Sequence, residues 1–580
     1  MKTLVTTAAA VFLSASAAIA DWAPTGPVKV LIGFAAGGGA DSLARLIAED
    51  IEAEYGWTLI PENLPGSGGA VMARAVKDAA PDGQTISVGI TDTFAYGVLA
   101  ARDPGYTTGD FTYLSTIAGT QMGIVAKSER GWTTMSEVIE AARSGASISF
   151  GTMTPRRRPK PDVKEIDGRR LKPSTLMMGH GYDPVLSEGS LKPPIFLTST
   201  FAFPSAADGK RHFEGITGKR PGGADGLVYS RFNAPNQEIL EDRLSVWDGA
   251  EDALSFSSGM TAICVMMMAY CSAGDVIVHS GPLYAASEGF VAKILAKFGV
   301  KYVDFPAGAT REQFDEVLTK AKAMAEENGG KVSMIYLESP GNPTNALVDI
   351  EMVRDARDAA LPADCPIAID NTFLGPLWQR PLEHGADIVC YSLTKYVGGH
   401  SDLVAGSIAG DKKWMNPVRM IRNTMGGIAD PNTAWMLLRS LETVELRMQR
   451  AGENAAKVCE FLKKHPKVDG LGYLGMIEDD RQQDIYDRHC LGAGSTFSLF
   501  LKGGEEECFR FLDSLKVAKL AVSLGGTETL ASHPASMTHL SVAHGRRQEL
   551  GITDSLVRIS IGIEDPDDLI ADFDQALDAV

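Results

Sequence analysis

Residues 386–402 read ADIVCYSLTKYVGGHSD and place a lysine among hydroxyls and glycines directly after a predicted strand. The apolar run that ends at Tyr391 is typical of a buried parallel strand. Lys395 follows between Ser392, Thr394 and two glycines, surroundings unlike those of a lysine on a solvated surface. Because reactive groups in open parallel sheets lie at the carboxyl ends of the strands, this stretch predicts an α/β fold with chemistry at a strand end.

Other predicted strands end in a similar way. From about residue 174, short apolar strands alternate with helical stretches, which predicts parallel strands joined by crossovers. Three of these strands run into Ser258-Gly259-Met260, into Glu338 to Asn345, and into Asp370-Asn371-Thr372. A glycine turn that opens a helix can hold a phosphate on its free amides, and a buried carboxylate requires a partner. The simpler alternatives are a turn built from Pro and Asn at 342–345 and a helix cap at Asp370.

Together these strand ends predict a binding site for pyridoxal phosphate. The glycine turn and the hydroxyls would hold its phosphate. The lysine would form the Schiff base and move protons, while the carboxylate would keep the pyridine nitrogen protonated so that the ring can accept electrons.

Residues from about 174 to 578 resemble the Cys/Met-metabolism family of pyridoxal phosphate enzymes, which includes cystathionine γ-synthase, cystathionine lyases and methionine γ-lyase. The resemblance implies an aspartate-aminotransferase-like fold of type I, with a large, mostly parallel sheet domain and a small C-terminal α/β domain. The matching motifs, in the family's order, are Lys192-Pro-Pro-Ile-Phe-Leu-Thr-Ser-Thr-Phe201, Tyr229-Ser-Arg231, Ser258-Gly-Met260, Asp370-Asn-Thr372, Ser392-Leu-Thr-Lys395, Ser523-Leu-Gly-Gly526 and Arg558-Ile-Ser-Ile-Gly-Ile-Glu564.

The same resemblance implies a cofactor role for each matching residue. Lys395 would be the Schiff-base lysine, and Asp370 would be the partner of the pyridinium nitrogen. Tyr284 would stack on the ring and assist proton transfer, and Asn342 would lie near the ring hydroxyl. The phosphate would be held by Gly259, Met260, Ser392 and Thr394.

Two further roles concern the substrate and the partner subunit. Arg558, together with Ser523, would bind the α-carboxylate of an amino acid. Tyr229 and Arg231 would reach the phosphate of the neighbouring subunit, which implies active sites shared across a dimer and a homotetramer built as a dimer of dimers. The ordinary alternatives are a surface salt bridge for Arg558, a core aromatic for Tyr284 and a helix cap for Ser392.

The resemblance also implies chemistry at the γ-carbon of a sulfur amino acid. Residues 391–400 and 531–539 are most similar to the methionine γ-lyase branch, which predicts conversion of L-methionine to 2-oxobutyrate, methanethiol and ammonia. Family members of this branch place a cysteine two residues after the ring-stacking tyrosine, whereas Tyr284 is followed by Ala285 and Ala286. Cystathionine γ-synthase, which replaces the γ-substituent of an acylated homoserine, is therefore kept as the alternative.

The N-terminal part has a different character. Residues 1–20 carry Lys2, an apolar stretch and the ending Ala18-Ile-Ala20, the pattern of a secretory signal peptide that would direct the chain to the periplasm. Residues 21–152 resemble a partial lobe of the substrate-binding proteins of tripartite tricarboxylate transporters. That resemblance rests on the strand Val28 to Ile32 and on three loops, Gly37-Gly-Gly-Ala-Asp41, Gly66-Ser-Gly-Gly69 and Pro81-Asp-Gly83. The first two loops would face a ligand carboxylate.

Composition narrows the classes of partner. The chain has 55 Lys plus Arg against 73 Asp plus Glu, a net charge of −18, which repels phosphate backbones and anionic headgroups. We therefore expect no nucleic acid and no membrane partner. The seven cysteines form no Cys-x-x-Cys pair and all lie beyond residue 260. This predicts no metal site, no disulfide framework and a reducing, cytoplasmic compartment for the enzyme part.

These patterns predict five segments. They are a signal peptide at 1–20, a partial binding-protein lobe at 21–152, a Pro- and Arg-rich linker or native N-terminal tail at 153–175, a large cofactor-binding domain at 176–430 and a small domain at 431–580. The competing functional class is a secreted carboxylate-binding protein. Length disfavours it, because residues 21–152 supply half of a two-lobed clamp whereas the later segments supply a whole enzyme. Met153 is expected to be the ancestral start of the enzyme part.

Overall fold

The computed structural model divides into two compact units, residues 1–150 and 151–580, and each is described by itself. The described residues are 24–37, 39–94, 98, 104–114, 164–166, 168–220 and 226–580. The predicted signal peptide, Met153 and the basic stretch at 156–158 lie outside them. No described helix is both long and apolar enough to cross a membrane.

The N-terminal unit is built on a small parallel sheet. Its central strand β1 (Val28–Ile32) pairs in parallel with β2 (Leu59–Asn63) on one side and with β3 (Thr85–Val88) on the other. Its helices are α1 (Gly39–Tyr55), α2 (Ala70–Lys77) and α3 (Thr91–Phe94). The buried apolar cluster comprises Val30, Ile32 and Ala44. The predicted strand and the glycine turn that leads into a helix are confirmed.

The C-terminal unit begins with a short antiparallel ribbon, β4 (Glu165–Ile166) and β5 (Arg169–Arg170). The main strands that follow are β6 (Asp252–Phe256), β7 (Val276–Gly281), β8 (Lys301–Pro306), β9 (Val332–Glu338), β10 (Ile367–Asp370), β11 (Ile388–Ser392) and β12 (Gly406–Gly410). They form one sheet in the order β6-β12-β11-β10-β9-β7-β8. The four strands predicted before the motifs are confirmed as β6, β9, β10 and β11, and each ends within two residues of the predicted position.

This sheet is mostly parallel. Strand β12 runs antiparallel to both of its neighbours, β11 and β6, so β6 points the same way as the other strands. The carboxyl ends of β6, β7, β9, β10 and β11 therefore lie at one edge. This topology fits the type I fold class predicted from the sequence.

Both faces of the main sheet are buried, as expected for parallel strands covered by helices. Along β9, Ile335 and Leu337 enter one apolar cluster, while Met334 and Tyr336 enter the other. The covering and flanking helices are α4 (Pro173–Leu176), α5 (Ala206–Ile216), α6 (Pro235–Asp248), α7 (Gly259–Tyr270), α8 (Ala285–Gly289), α9 (Arg311–Glu327), α10 (Ile350–Ala360), α11 (Gly375–Trp378), α12 (Lys412–Met425), α13 (Pro431–Leu441) and α14 (Val444–Leu462).

A second sheet of five strands lies in the C-terminal part. Its strands are β13 (Val468–Gly472), β14 (Thr496–Leu501), β15 (Lys519–Leu520), β16 (Leu530–Ser532) and β17 (Leu556–Ser560), in the order β13-β14-β17-β16-β15. The helices are α15 (Asp480–His489), α16 (Glu505–Ser514), α17 (His544–Glu549) and α18 (Pro566–Leu577). Val557 and Ile559 enter its apolar cluster, so strand alternation places Arg558 on the opposite face. The domain boundaries at 176 and 431 stay predictions.

Candidate active site

Helix α7 opens directly after the carboxyl end of β6. The Ser258 hydroxyl accepts a hydrogen bond from the Thr261 amide at 3.0 Å, which leaves the amides of Gly259 and Met260 without an intrahelical acceptor. A Cβ on Gly259 would lie 3.0 Å from Cβ of Ser392. The glycine therefore lets the end of β11 approach the helix, and three of the predicted phosphate-binding residues come together at an anion-binding helix end.

Asp370 is the last residue of β10 and is 8% exposed. Burial raises the pKa of its carboxyl. Its Oδ1 accepts from the Thr372 amide at 3.0 Å, and the Thr372 hydroxyl accepts from the Ser392 amide at 2.9 Å. Thr372 thus ties the predicted pyridinium partner to the predicted phosphate site.

Lys395 follows β11 in a tight turn, with its amide donating to the carbonyl of Ser392 at 3.1 Å. Its Nζ donates to Oγ of Ser523 at 2.7 Å. Burial, followed by the nearby guanidinium of Arg558, lowers the pKa of the amine to about 8. About a tenth of this amine is therefore neutral at pH 7, and the neutral form is the one that acts as a nucleophile and base.

Arg558 lies beside this lysine and is 4% exposed. Nη1 donates to Oδ1 of Asn342 at 3.1 Å, and Nη2 donates to the carbonyl of Ser523 at 2.9 Å. Burial lowers the pKa of the guanidinium to about 10. The ion pairs among the described residues include none to Arg558, so this guanidinium is suited to a carboxylate that arrives with a ligand.

Glu338, the last residue of β9, links the end of its own strand to the segment after β7. No role for Glu338 is predicted from the sequence. Its Oε2 accepts from the Tyr284 amide at 2.6 Å and its Oε1 accepts from the Asn342 amide at 3.2 Å. It pairs in register with Asp370 on the neighbouring strand. Burial, followed by the charge of Asp370, raises the pKa of its carboxyl well above the usual range. The available signal was a carboxylate at the end of a buried strand, the same signal that identified Asp370.

Tyr284 and Thr394 are placed near these groups. Tyr284 is 39% exposed, and its carbonyl accepts from the amide of Ser287, whose hydroxyl lies 3.7 Å from Sδ of Met260. The Thr394 hydroxyl donates to the Ala405 carbonyl at 3.2 Å and accepts from the Ala405 amide at 3.0 Å. Its predicted contact with a phosphate stays a prediction.

Tyr229 and Arg231 lie in the segment before helix α6 and contact each other. The Arg231 guanidinium lies 5.8 Å from the ring centre of Tyr229 and 4.6 Å from that of Phe232. Tyr229 is 39% exposed. Within the described residues, neither side chain forms a hydrogen bond or ring contact with the other ten.

One histidine cluster lies away from the strand ends. Glu351, His384 and His489 offer ligand atoms within 4.8 Å of one another. Arg488 Nη1 donates to Glu351 Oε2 at 2.8 Å and lies 3.1 Å from Nε2 of His489, so a guanidinium already supplies positive charge there. The absence of a metal site stays a prediction.

The assembled residues fit pyridoxal phosphate. Free amides at Gly259 and Met260 suit its phosphate, the buried carboxylate of Asp370 suits a protonated ring nitrogen, and the amine of Lys395 suits its aldehyde carbon. The glycine at 259 keeps open the approach between helix α7 and strand β11, which a Cβ would narrow. These groups come from the ends of the neighbouring strands β10 and β11 and from the start of helix α7.

Comparisons with known proteins identify the family of the C-terminal part and that of the N-terminal part. Residues 174–578 match the family model described as Cys/Met metabolism PLP-dependent enzyme, and residues 43–158 match that of the tripartite tricarboxylate transporter family receptor. L-methionine gamma-lyase of Fusobacterium nucleatum subsp. polymorphum is 37% identical over 396 residues, which is 68% of this chain and 94% of the relative. Cystathionine gamma-lyase of Bacillus subtilis is 35% identical over 414 residues, 71% of this chain and all of the relative.

A solved structure supports the fold independently. Cystathionine gamma synthase from Xanthomonas oryzae pv. oryzae, solved in complex with aminoacrylate and cysteine, aligns with a TM-score of 0.63 and 30% identity. The alignment covers 70% of this chain and 98% of that one, which confirms the predicted type I fold class. With its family match, its fold and its arrangement of strand-end residues, the chain belongs to the Cys/Met metabolism family of PLP-dependent enzymes.

Proposed function

We propose that this protein is a methionine γ-lyase, a carbon–sulfur lyase that converts L-methionine and water to 2-oxobutyrate, methanethiol and ammonia. The observation that carries the proposal is the arrangement around Ser523. Its hydroxyl accepts from the Lys395 amine at 2.7 Å, and its carbonyl accepts from the Arg558 guanidinium at 2.9 Å. A base and a carboxylate receptor are therefore held side by side, as catalysis on an amino acid requires.

The cofactor supplies an electron sink for the carbanion at the substrate's Cα. Arg558 binds the α-carboxylate and thereby orients the Cα–H bond toward Lys395. The neutral Nζ of Lys395 removes the Cα proton and returns protons at later steps, because its lowered pKa keeps both protonation states accessible. Asp370 would hold the proton of the ring nitrogen, and the amides of Gly259 and Met260 would hold the phosphate.

The alternative is γ-replacement on an acylated homoserine, as in a cystathionine γ-synthase. Ala285 and Ala286 follow Tyr284, where methionine γ-lyases carry a cysteine at the second position. The similarity to a solved cystathionine gamma synthase is of the same order as the similarity to the lyases. This observation keeps the synthase as a second candidate for the same site.

The two candidates are separated by their products. The purified full-length protein is supplied with pyridoxal phosphate and L-methionine, and 2-oxobutyrate and methanethiol are followed together. Release of both in equal amounts supports the lyase. Release of neither, with cystathionine formed from an acylated homoserine and cysteine, replaces the lyase by the synthase and leaves the roles of Lys395 and Asp370 in place.

We also propose a homotetramer in which Tyr229 and Arg231 complete the phosphate site of a neighbouring subunit. The exposure of Tyr229, which leaves its side chain available to a neighbouring subunit, supports this assignment. Co-expression of Y229A and K395A chains tests it, because a mixed dimer holds one site with both residues intact. Activity in the mixture, with none in either variant alone, is the expected result, and an inactive mixture contradicts shared sites.

We further propose that the enzyme part, translated from Met153, works in the cytoplasm, where its cofactor and substrate are made, and that residues 1–20 are a signal peptide that would direct only the full chain to the periplasm. The seven cysteines, all free and none exposed, support a reducing compartment. Fractionation of cells that express the full chain separates the possibilities. Enzyme activity in the periplasmic fraction, with cleavage after Ala20, contradicts the cytoplasmic assignment.

A further inference from the structure

Arg447 on helix α14 is a buried cation that contacts the turn at residues 393–399, which contains Lys395. It is 9% exposed. Nη1 donates to the carbonyl of Tyr396 at 2.8 Å, and Nη2 donates to the carbonyl of Val397 at 3.1 Å. Nη2 also donates to the Ser440 carbonyl at 3.0 Å, and Nε donates to the Thr443 hydroxyl at 3.2 Å. All four acceptors are neutral.

Two other buried arginines of the described residues have a close carboxylate partner. Arg357 pairs with Asp387 at 2.8 Å, and Arg422 pairs with Glu241 at 2.5 Å. The ion pairs among the described residues include none to Arg447, and burial lowers the pKa of its guanidinium to about 10. Because a buried charge without a counterion is costly, its contacts with the turn must supply the compensation.

The turn is shaped to receive this guanidinium. Gly399 has a φ of +69°, and a Cβ there would lie 1.8 Å from Nη1 of Arg447. A Cβ at Gly525 would lie 2.7 Å from the amide nitrogen of Tyr396. The backbone of Tyr396 is therefore in close contact with both Arg447 and Gly525, and Gly525 lies two residues after the hydroxyl that accepts from Lys395.

We propose that Arg447 is a positioning residue for the reaction, because its planar guanidinium holds two successive carbonyls of the Lys395 turn and so keeps Nζ at Ser523. The inference rests on the proposed function, which gives the position of Lys395 its meaning. A lysine at 447 has the charge but lacks the rigid fork that reaches both carbonyls at once. The chemistry at Lys395 thus depends on a side chain from a separate helix, 51 positions beyond Tyr396 in the chain.

The test uses the full-length holoenzyme and the variants R447M, R447K and G399A. R357M is the matched control, because Arg357 is also buried and also donates to a backbone carbonyl, that of Cys365 at 2.8 Å, at the opposite ends of β10 and β11. The first readout is hydrogen exchange at the amides of Gly398 and Gly399, which donate to the carbonyls of Leu393 and Lys395 at 2.7 Å. The second is the split between kcat and KM.

Loss of the guanidinium contacts in R447M should speed exchange at both amides by about ten-fold or more. It should lower kcat by about 100-fold, with a small change in KM, because a displaced base acts on chemistry rather than on binding. In R447K, the exchange rate and kcat should lie between the values of R447M and the wild type. G399A should show the same faster exchange and lower kcat as R447M. R357M should leave exchange at both amides as in the wild type.

Two results overturn the inference. One is wild-type exchange at Gly398 and Gly399 in folded R447M together with a wild-type kcat. The other is an equal effect in R357M, which would indicate general destabilisation. Failure of the proposed function is distinguishable, because the wild type would then release neither 2-oxobutyrate nor methanethiol from L-methionine, while the exchange readout would still decide whether Arg447 holds the turn.

Discussion

Helices α1 and α7 each begin after a parallel strand and a glycine turn, but the backbone amides at the two turns have different partners. In the N-terminal unit, the Gly37 amide donates to the Asp41 carboxylate at 2.8 Å, and Asp41 also accepts from Arg45 at 3.0 Å. Arg45 is the first cause of the strongly lowered pKa of Asp41. In the C-terminal unit, Ser258 caps only Thr261, and the amides of Gly259 and Met260 lack an intrahelical acceptor.

The same sequence signal therefore has two outcomes. A helix N-terminus attracts an anion in both units, but in the first the chain supplies that anion itself. In the second, the neighbouring carboxylate, Asp370, is at a separate strand end and the helix amides stay available. A glycine turn predicts an external ligand only when no carboxylate on the first turn of its own helix reaches it.

Replacement of Lys395 should have the largest effect on the second site. K395A removes the amine that donates to Ser523, so kcat should fall by about 1,000-fold or more and the yellow cofactor absorbance should disappear. Kinetics and absorbance spectra measure both. K502A, which removes an exposed lysine, is the control and should behave like the wild type. Retained turnover in K395A would remove Lys395 from the mechanism.

D370N should come next. The asparagine keeps the shape of the strand end but removes the charge that holds the ring nitrogen's proton, so kcat should fall by about 100-fold while the protein stays folded. Steady-state kinetics and cofactor content measure the two effects. E338Q is the comparison variant, because it removes the carboxylate of Glu338 and keeps that of Asp370. It distinguishes the contribution of Asp370 from that of its neighbour. An unchanged kcat in D370N would show that the ring nitrogen does not depend on this charge.

The rate of cofactor uptake should depend on pH through the Lys395 amine. Its pKa is lowered to about 8, so below pH 8 the neutral fraction falls about ten-fold per pH unit, and above pH 8 it levels off. Mixing cofactor-free protein with pyridoxal phosphate at different pH values and following absorbance measures this profile. R558L removes the adjacent positive charge, which should raise this pKa and move the profile to higher pH. A profile that does not move contradicts the coupling between the two groups.

The variants G259A and D41N compare the start of helix α7 with the start of helix α1. In G259A, the new Cβ meets Ser392 at 3.0 Å, so the Kd for pyridoxal phosphate should rise by about ten-fold, the value of one lost tight contact to a phosphate. D41N removes the carboxylate charge at the start of helix α1 and should leave this Kd unchanged. Titration of cofactor-free protein measures both. A larger effect from D41N than from G259A would invert the comparison.

Removal of residues 1–152 should have the smallest effect. All twelve predicted site residues lie beyond residue 228, so a chain of residues 153–580 should retain the kcat and KM of the full-length protein. Activity assays on both proteins, at equal cofactor content, measure this. A large loss of activity in the shorter chain would show that the N-terminal unit supports the enzyme.

The agreement between sequence and structure is closest where chemistry follows a strand. Asp370, Ser392 and Lys395 were identified because polar residues directly after buried apolar runs are costly to bury unless they have partners, and the register of β9, β10 and β11 brings them to one edge. Glu338 is also a polar residue at the end of a buried apolar run, but the Pro-rich segment after it favoured the interpretation as a simple turn. Arg447 carried no signal at all, because an arginine in an amphipathic helix is most often on the surface.

The sequence by itself determined the alternation of strands and helices, the family and the order of the motifs, because apolar period and turn residues are local properties. Tertiary structure alone decided which polar groups meet. It brought Ser523, from the segment between β15 and β16, to Lys395, and it brought Arg558, from β17, to Asn342. It also placed the guanidinium of Arg447 against the carbonyls of Tyr396 and Val397. Hydrogen bonds between residues more than 100 positions apart depend on sheet register and helix packing, which no short stretch of sequence encodes.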